Sequence, residues 1–287
     1  MLQPRQAQCV TPLLLGMAFA LLSTAWSRPI LAAGLPAAGD AAGNALRGSP
    51  RHGEWADVLV PGSDLKLKSW VVYPERPDKA PVVIVIHEIF GLTDWVRAVA
   101  DQLAADGFIA IAPDLLSGKG PAGGGTESFE GDKVREAIRA LSADEVTARL
   151  NAVREYGLGL AASNGRTATV GYCWGGTQSF AFAAAQPRLN AAVVYYGTAP
   201  SDEAKLATIA CPVLGLYGGD DARVNSTLEA TAAAMKRLGK SFEQHMYPGA
   251  GHGFLRQQSG RDGANQKAAE AAWAETIAFL RKHLETP

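Results

Sequence analysis

The sequence predicts an α/β fold, with a mostly parallel central sheet covered by helices on both faces, and three observations carry that prediction. Continuous β-branched or apolar runs recur along the chain, Val82 to Ile86 being the clearest. Stretches of helical periodicity alternate with them, and no Pro/Ser-rich linker divides the middle of the 287 residues. An unbroken apolar run marks a strand buried on both faces, as strands of parallel sheets are, and strand–helix alternation implies right-handed crossovers onto one sheet.

Taken in order, the first strand signals are Asp57 to Val60 and Leu67 to Tyr73, the second alternating apolar and polar residues as a half-solvated edge strand would. Buried strands follow at Val82 to Ile86, Ile109 to Ala112, Ala168 to Val170, Ala192 to Tyr195 and Val213 to Tyr217, with Phe242 to Tyr247 a more polar example. Helical periodicity marks Trp95 to Ala105, Lys133 to Leu141, Ala143 to Leu160, Thr177 to Ala185, Ser226 to Leu238 and Ala264 to Leu284. The Gly-rich stretch Gly118 to Gly131 reads as a loop, either a cover over a site or a plain surface connection. In such sheets ligands bind at the carboxyl ends of the strands, so functional residues are expected just after strands.

Composition bounds the function. With 47% hydrophobic and 19% charged residues the chain has material for a large core, expected as one domain over 55–287. A net charge of -1 with scattered cations argues against nucleic-acid binding. No Cys/His spacing suits zinc, and neither a dinucleotide fingerprint nor a phosphate-binding Walker loop occurs, so no metal and no cofactor is expected.

Residues 1–33 read as a secretory signal: Arg5, the apolar run Leu13 to Leu22, then small residues ending near Ala32-Ala33. A periplasmic or secreted protein with no stable membrane span after processing is expected, as a monomer. Residues 34–54, rich in Gly, Ala and Pro, are expected to form a flexible lead-in with no fold of its own. Cys9 would leave with the signal, and Cys173 and Cys211 are expected to stay unpaired.

The chemistry concentrates at Gly171-Tyr172-Cys173-Trp174-Gly175, directly after a strand and before a helix. A bare G-x-[Ser/Cys]-x-G arises by chance on the order of 0.2 times in a chain with 31 glycines, so its meaning comes from that strand–turn–helix context. The turn holds a nucleophile in a strained conformation, the flanking glycines leave room for neighbouring backbone, and the helix N-terminus favours thiolate. Thiol attack needs a base, and the base needs an acid to fix its tautomer. Of five histidines, His87 and His252 follow strands; His252, in the glycine-rich turn Gly249 to Phe254, is the better placed base. Asp220 or Asp221 could orient it, with Asp221 preferred from the G-x-x-D-x-x-V spacing. The order Cys, Asp, His along the chain is that of the nucleophile-elbow enzymes.

These residues, with His87-Glu88-Ile89-Phe90-Gly91, Ala112-Pro113-Asp114-Leu115 and Gly251 to Arg256, closely resemble the dienelactone hydrolase family of α/β-hydrolases, from about Leu59 to Leu284. The resemblance implies the α/β-hydrolase fold and hydrolysis of a small carboxylic ester or lactone through Cys173, His252 and Asp221, by way of an acyl-enzyme. It further implies that Glu88 takes part in thiol activation, that backbone amides of Ile89 and Trp174 form an oxyanion hole, and that Arg256 binds a substrate carboxylate. A second family arginine after the Pro-Asp-Leu motif is missing here; Lys119 is the candidate replacement. Other readings are a thioester or peptide hydrolase, or an exported protein that uses the pocket to bind an acidic ligand. A redox role for Cys173 lacks a resolving cysteine nearby.

Overall fold

The computed structural model describes residues 34–285 together with Met1 and Leu2. The expected signal segment, Cys9 included, lies outside the described residues. Among the described residues eight strands form one sheet: β1 (Gly53–Leu59), β2 (Lys66–Val72), β3 (Ala80–Ile86), β4 (Ile109–Pro113), β5 (Ser163–Tyr172), β6 (Ala191–Tyr195), β7 (Val213–Gly218) and β8 (Phe242–Tyr247). Their order is β1-β2-β4-β3-β5-β6-β7-β8, antiparallel at the β1–β2 and β2–β4 pairs and parallel from β4 onward. The helices are α1 (Ala42–Gly48), α2 (Asp94–Ala105), α3 (Lys133–Ala140), α4 (Ala143–Gly159), α5 (Trp174–Ala185), α6 (Glu203–Thr208), α7 (Ala222–Asn225), α8 (Leu228–Arg237) and α9 (Ala264–Leu284).

The period of two along β6 shows how one strand serves two cores. Ala191, Val193 and Tyr195 pack into the layer of α2 and α9, whereas Ala192 and Val194 pack into the layer that holds α4 and α5. All of them are fully buried, which is why no polar alternation appears in the sequence of this strand.

Two expectations are corrected. The strand expected at 67–73 is not an edge: β2 is paired on both sides, Trp70 opposite Trp55 and Ala112, and the sheet edges are β1 and β8. Its alternation arises because one face is covered, Leu67, Ser69 and Val71 being buried, while Lys66 and Lys68 are exposed. The supposed lead-in also has structure. Residues 42–48 form α1, whose Ala42 is fully buried and which packs on α2, and residues 53 and 54 already belong to β1. Alanine and glycine gave no apolar period there, but small side chains allow close helix approach without one.

Among the described residues no helix is long and apolar enough to cross a membrane. Cys173 and Cys211 are free thiols, as expected.

Candidate active site

The site lies at the carboxyl ends of the parallel strands, where a cavity of about 500 Å³ is lined by residues that follow β3, β5, β6, β7 and β8. Cys173 ends β5 and caps α5 with φ 57° and ψ -115°, a conformation L-residues rarely adopt. Its amide donates to Tyr195 O on β6 and its carbonyl accepts from Thr177 N–H, so neighbouring backbone holds the strained residue from both sides. The glycines of the elbow are required sterically. A Cβ on Gly171 would lie 2.0 Å from Gly175 O, and one on Gly175 would lie 2.3 Å from Ile86 O at the end of β3.

The sulfur is mostly buried, and desolvation pushes the Cys173 thiol up; the carboxylates of Glu88 and Asp221 add to this. The backbone N–H of Trp174 at the start of α5 and the Arg223 cation act the other way. At rest, therefore, the thiol keeps its proton.

His252 sits between Gly251 and Gly253 on a turn fastened to the end of β7, where Ala250 O accepts from Asp220 N–H and Gly251 N–H donates to Asn265 Oδ1. Its Nδ1 lies 2.5 Å from Asp221 Oδ2. Asp221 is buried and its other oxygen accepts from Val224 N–H at the start of α7. A buried carboxylate at Nδ1 places the ring proton on that nitrogen and leaves Nε2 free as an acceptor. Asp220, the alternative acid, turns outward and pairs with Arg261 at 3.1 Å.

The other strand-end histidine has a different part. Buried His87 donates from Nδ1 to Glu88 O at 2.9 Å, and its Nε2 accepts from Leu115 N–H at 3.2 Å. Burial lowers its pKa and the ring stays neutral, so it ties the chain after β3 to the chain after β4. Asp114 reinforces the tie by accepting from Leu116 N–H, Thr126 N–H and Thr126 Oγ1–H, while Thr126 Oγ1 accepts from Leu92 N–H. The stretch Gly118 to Gly131 is pinned through this carboxylate and contributes no wall to the cavity.

Glu88, only 4% exposed, lines the cavity with Ile89, Phe90 and Trp174. Burial raises its pKa from the ordinary 4.5 to about 7, even though the Arg256 cation pulls it down. Arg256 Nε approaches Glu88 Oε1 to 3.2 Å but off the hydrogen-bonding direction, so the two form an ion pair without a hydrogen bond. The guanidinium also lies over the Phe90 ring, 4.8 Å from its centre. The folded protein binds the Glu88 proton more tightly than the unfolded chain does, so its contribution to stability is full at low pH and is lost as pH rises through about 7. Glu88→Gln, which carries no titrating proton, should therefore gain stability relative to the parent by roughly 2 to 3 kcal/mol between pH 5 and pH 8. Urea unfolding at the two pH values checks this, and a difference independent of pH would contradict it.

A model of the dienelactone hydrolase family matches residues 67–284. The chain belongs to that family. As a family hydrolase it is 29% identical over 239 residues to a candidate carboxymethylenebutenolidase of Salmonella typhimurium, with 78% of this chain and 86% of the relative covered. It is likewise 29% identical over 248 residues to a candidate 2-oxo-3-(5-oxofuran-2-ylidene)propanoate lactonase of Bradyrhizobium sp., with 80% and 94% covered. The crystal structure of dienelactone hydrolase from Anabaena variabilis shares the fold, with a TM-score of 0.63, 21% identity, and coverage of 82% of this chain and 99% of that one.

In this dienelactone hydrolase family member, the residues expected from sequence gather in one cavity with one exception: Cys173, His252, Glu88, Ile89, Trp174 and Arg256 line it, and Asp221 stands behind His252. Lys119 is the exception and is corrected. Its Nζ is 2.7 Å from Glu145, which also binds Arg149, and it is no part of the cavity wall. Lining residues that the sequence did not single out include Arg139 on α3, Arg223 on α7, and Tyr196. Tyr196 has φ 40°, is fully buried, and sets its ring 5.0 Å from that of His252. It directly follows β6, so the rule that functional residues follow strands would have found it.

Proposed function

We propose that this chain hydrolyses carboxylic esters or lactones of small acidic substrates through a Cys173–His252–Asp221 triad and an acyl-enzyme. The contact of His252 Nδ1 with buried Asp221 carries the reading, because it leaves Nε2 as a base facing the cavity that also holds the strained cysteine. The related lactonase and carboxymethylenebutenolidase names point to the same bond class.

In this mechanism a substrate carboxylate engages Arg256, whose planar fork suits it. Glu88 then loses its counter-ion, its proton affinity rises, and with His252 it strengthens the acceptors around the sulfur. The thiol proton passes to His252 Nε2, the thiolate attacks the acyl carbon, and the oxyanion rests on the amides of Ile89 and Trp174. His252 gives a proton to the departing oxygen, then takes one from water, and hydroxide attack on the thioester frees the acid and restores the thiol. None of these steps calls on a metal or cofactor.

Mixing the protein with excess 4-nitrophenyl acetate should release a burst of about one nitrophenolate per chain, and acid quenching should leave one acetyl group on the peptide containing Cys173. Hydrolysis with acetyl on another residue, or turnover of peptides alone, would overturn the reading. Export and a monomeric state belong to the same proposal and rest on sequence alone; the N-terminal sequence of the mature protein and its mass in solution test them.

A further inference from the structure

Among the described residues, the charged ones that line the cavity are three arginines, Arg139, Arg223 and Arg256, against one acid, Glu88. Only Arg256 is matched with that acid. Among the described residues neither Arg139 nor Arg223 takes part in an ion pair, and the two carboxylates preceding Arg223 are occupied, Asp220 by Arg261 and Asp221 by His252. Two unpaired guanidiniums therefore open onto a cavity whose other walls include Phe90, Trp174 and Tyr196.

Their placement is two-sided. Across the sheet, β5, which ends at Cys173, stands between β3 and β7. Arg256 is drawn to the β3 side by Glu88 and Phe90. Arg139 belongs to the same side: Arg135, one turn earlier on α3, also lies over the Phe90 ring, 4.9 Å from its centre. Arg223 enters from the other side, on α7 directly after β7, and its charge is felt at the Cys173 sulfur.

We infer that the cavity selects esters or lactones with an anionic group on each side of the scissile carbonyl, one held by Arg256 with Arg139 and the other by Arg223. The inference rests on the proposed hydrolytic reading and deepens it by naming the substrate as a dianion. Arg223 is a specificity residue here, since it binds the second anion rather than any reacting atom.

Four aryl esters test it: 4-nitrophenyl acetate, the succinate monoester of 4-nitrophenol, the acetate of 3-carboxy-4-nitrophenol, and the succinate monoester of that carboxylated phenol. The doubly charged ester should have the highest kcat/KM. In Arg223→Gln its advantage over the neutral ester should fall by about tenfold to a hundredfold, mainly through KM, with partial rescue in Arg223→Lys. A purely structural arginine would lower all four rates together and leave the ratio unchanged, which would overturn the inference, as would a parent protein indifferent to the second charge. Binding separates this from failure of the hydrolytic reading. By calorimetry on Cys173→Ala, glutarate should bind more tightly than butyrate, and Arg223→Gln added to that variant should erase the difference; equal binding of both acids sinks the dianion idea whether or not esters turn over.

Discussion

Cys173→Ala is expected to lower kcat/KM for a neutral aryl ester by about four orders of magnitude or more while leaving the fold intact. The expectation is this severe because, among the described residues, the cavity offers no second nucleophile with a base. Thr177 and Thr198 line it, but Thr177 Oγ1 already accepts from Thr198 N–H and contacts Thr198 Oγ1 at 3.3 Å, and neither belongs to the His252–Asp221 pair. Alanine also removes the buried thiol without adding volume, so the thermal midpoint should hardly move. Initial rates on purified protein, with circular dichroism as the control, decide the matter. Retention of more than about a hundredth of the parent rate would mean that sulfur is not the nucleophile.

The second large effect concerns stability. Gly175→Ala would place a methyl group 2.3 Å from Ile86 O and 2.4 Å from His87 O, both main-chain atoms at the end of a central strand that cannot swing aside. A clash of this kind is relieved only by moving α5 off the sheet, at a cost of about 4 kcal/mol or more. At Gly159, the end of α4, an added Cβ would meet nothing within 4 Å, so Gly159→Ala should be neutral or slightly stabilising. Urea midpoints of the two variants make the comparison. A Gly175→Ala protein as stable as the parent would show that the elbow is looser than its geometry implies.

Much of this was legible in the chain because it depends on local pattern. The inner strands β3 to β7 follow from apolar runs, since a strand buried on both faces must be apolar at successive positions, and β2 follows from its alternation. The elbow follows from glycines whose Cβ would strike backbone, and the His252 turn from a glycine cluster in which Gly249 and Gly253 take left-handed φ. What stayed hidden depends on where separate segments meet. Lys119 follows the Pro-Asp-Leu motif closely enough to suggest the site, but distance along the chain does not give direction, and Glu145 on α4 captures its charge. Arg139 and Arg223 look like ordinary surface cations in sequence, and only the packing of α3 and α7 turns them toward the cavity. The short helices α6 and α7 escaped because four to six residues hold too little periodicity to register.

The stretch before α1 has a bearing on how the protein should be handled. Gly39 N–H donates to Arg256 O at 2.9 Å, Gln258 Nε2 donates to Pro36 O at 2.8 Å, and a methyl group on Gly39 would strike the Arg256 side chain. These contacts make residues 36–39 a tether for the loop that carries Arg256 at the cavity. Trimming the amino end past this point to obtain a tidier sample would slacken that grip, and the altered selectivity could be mistaken for a property of the enzyme itself.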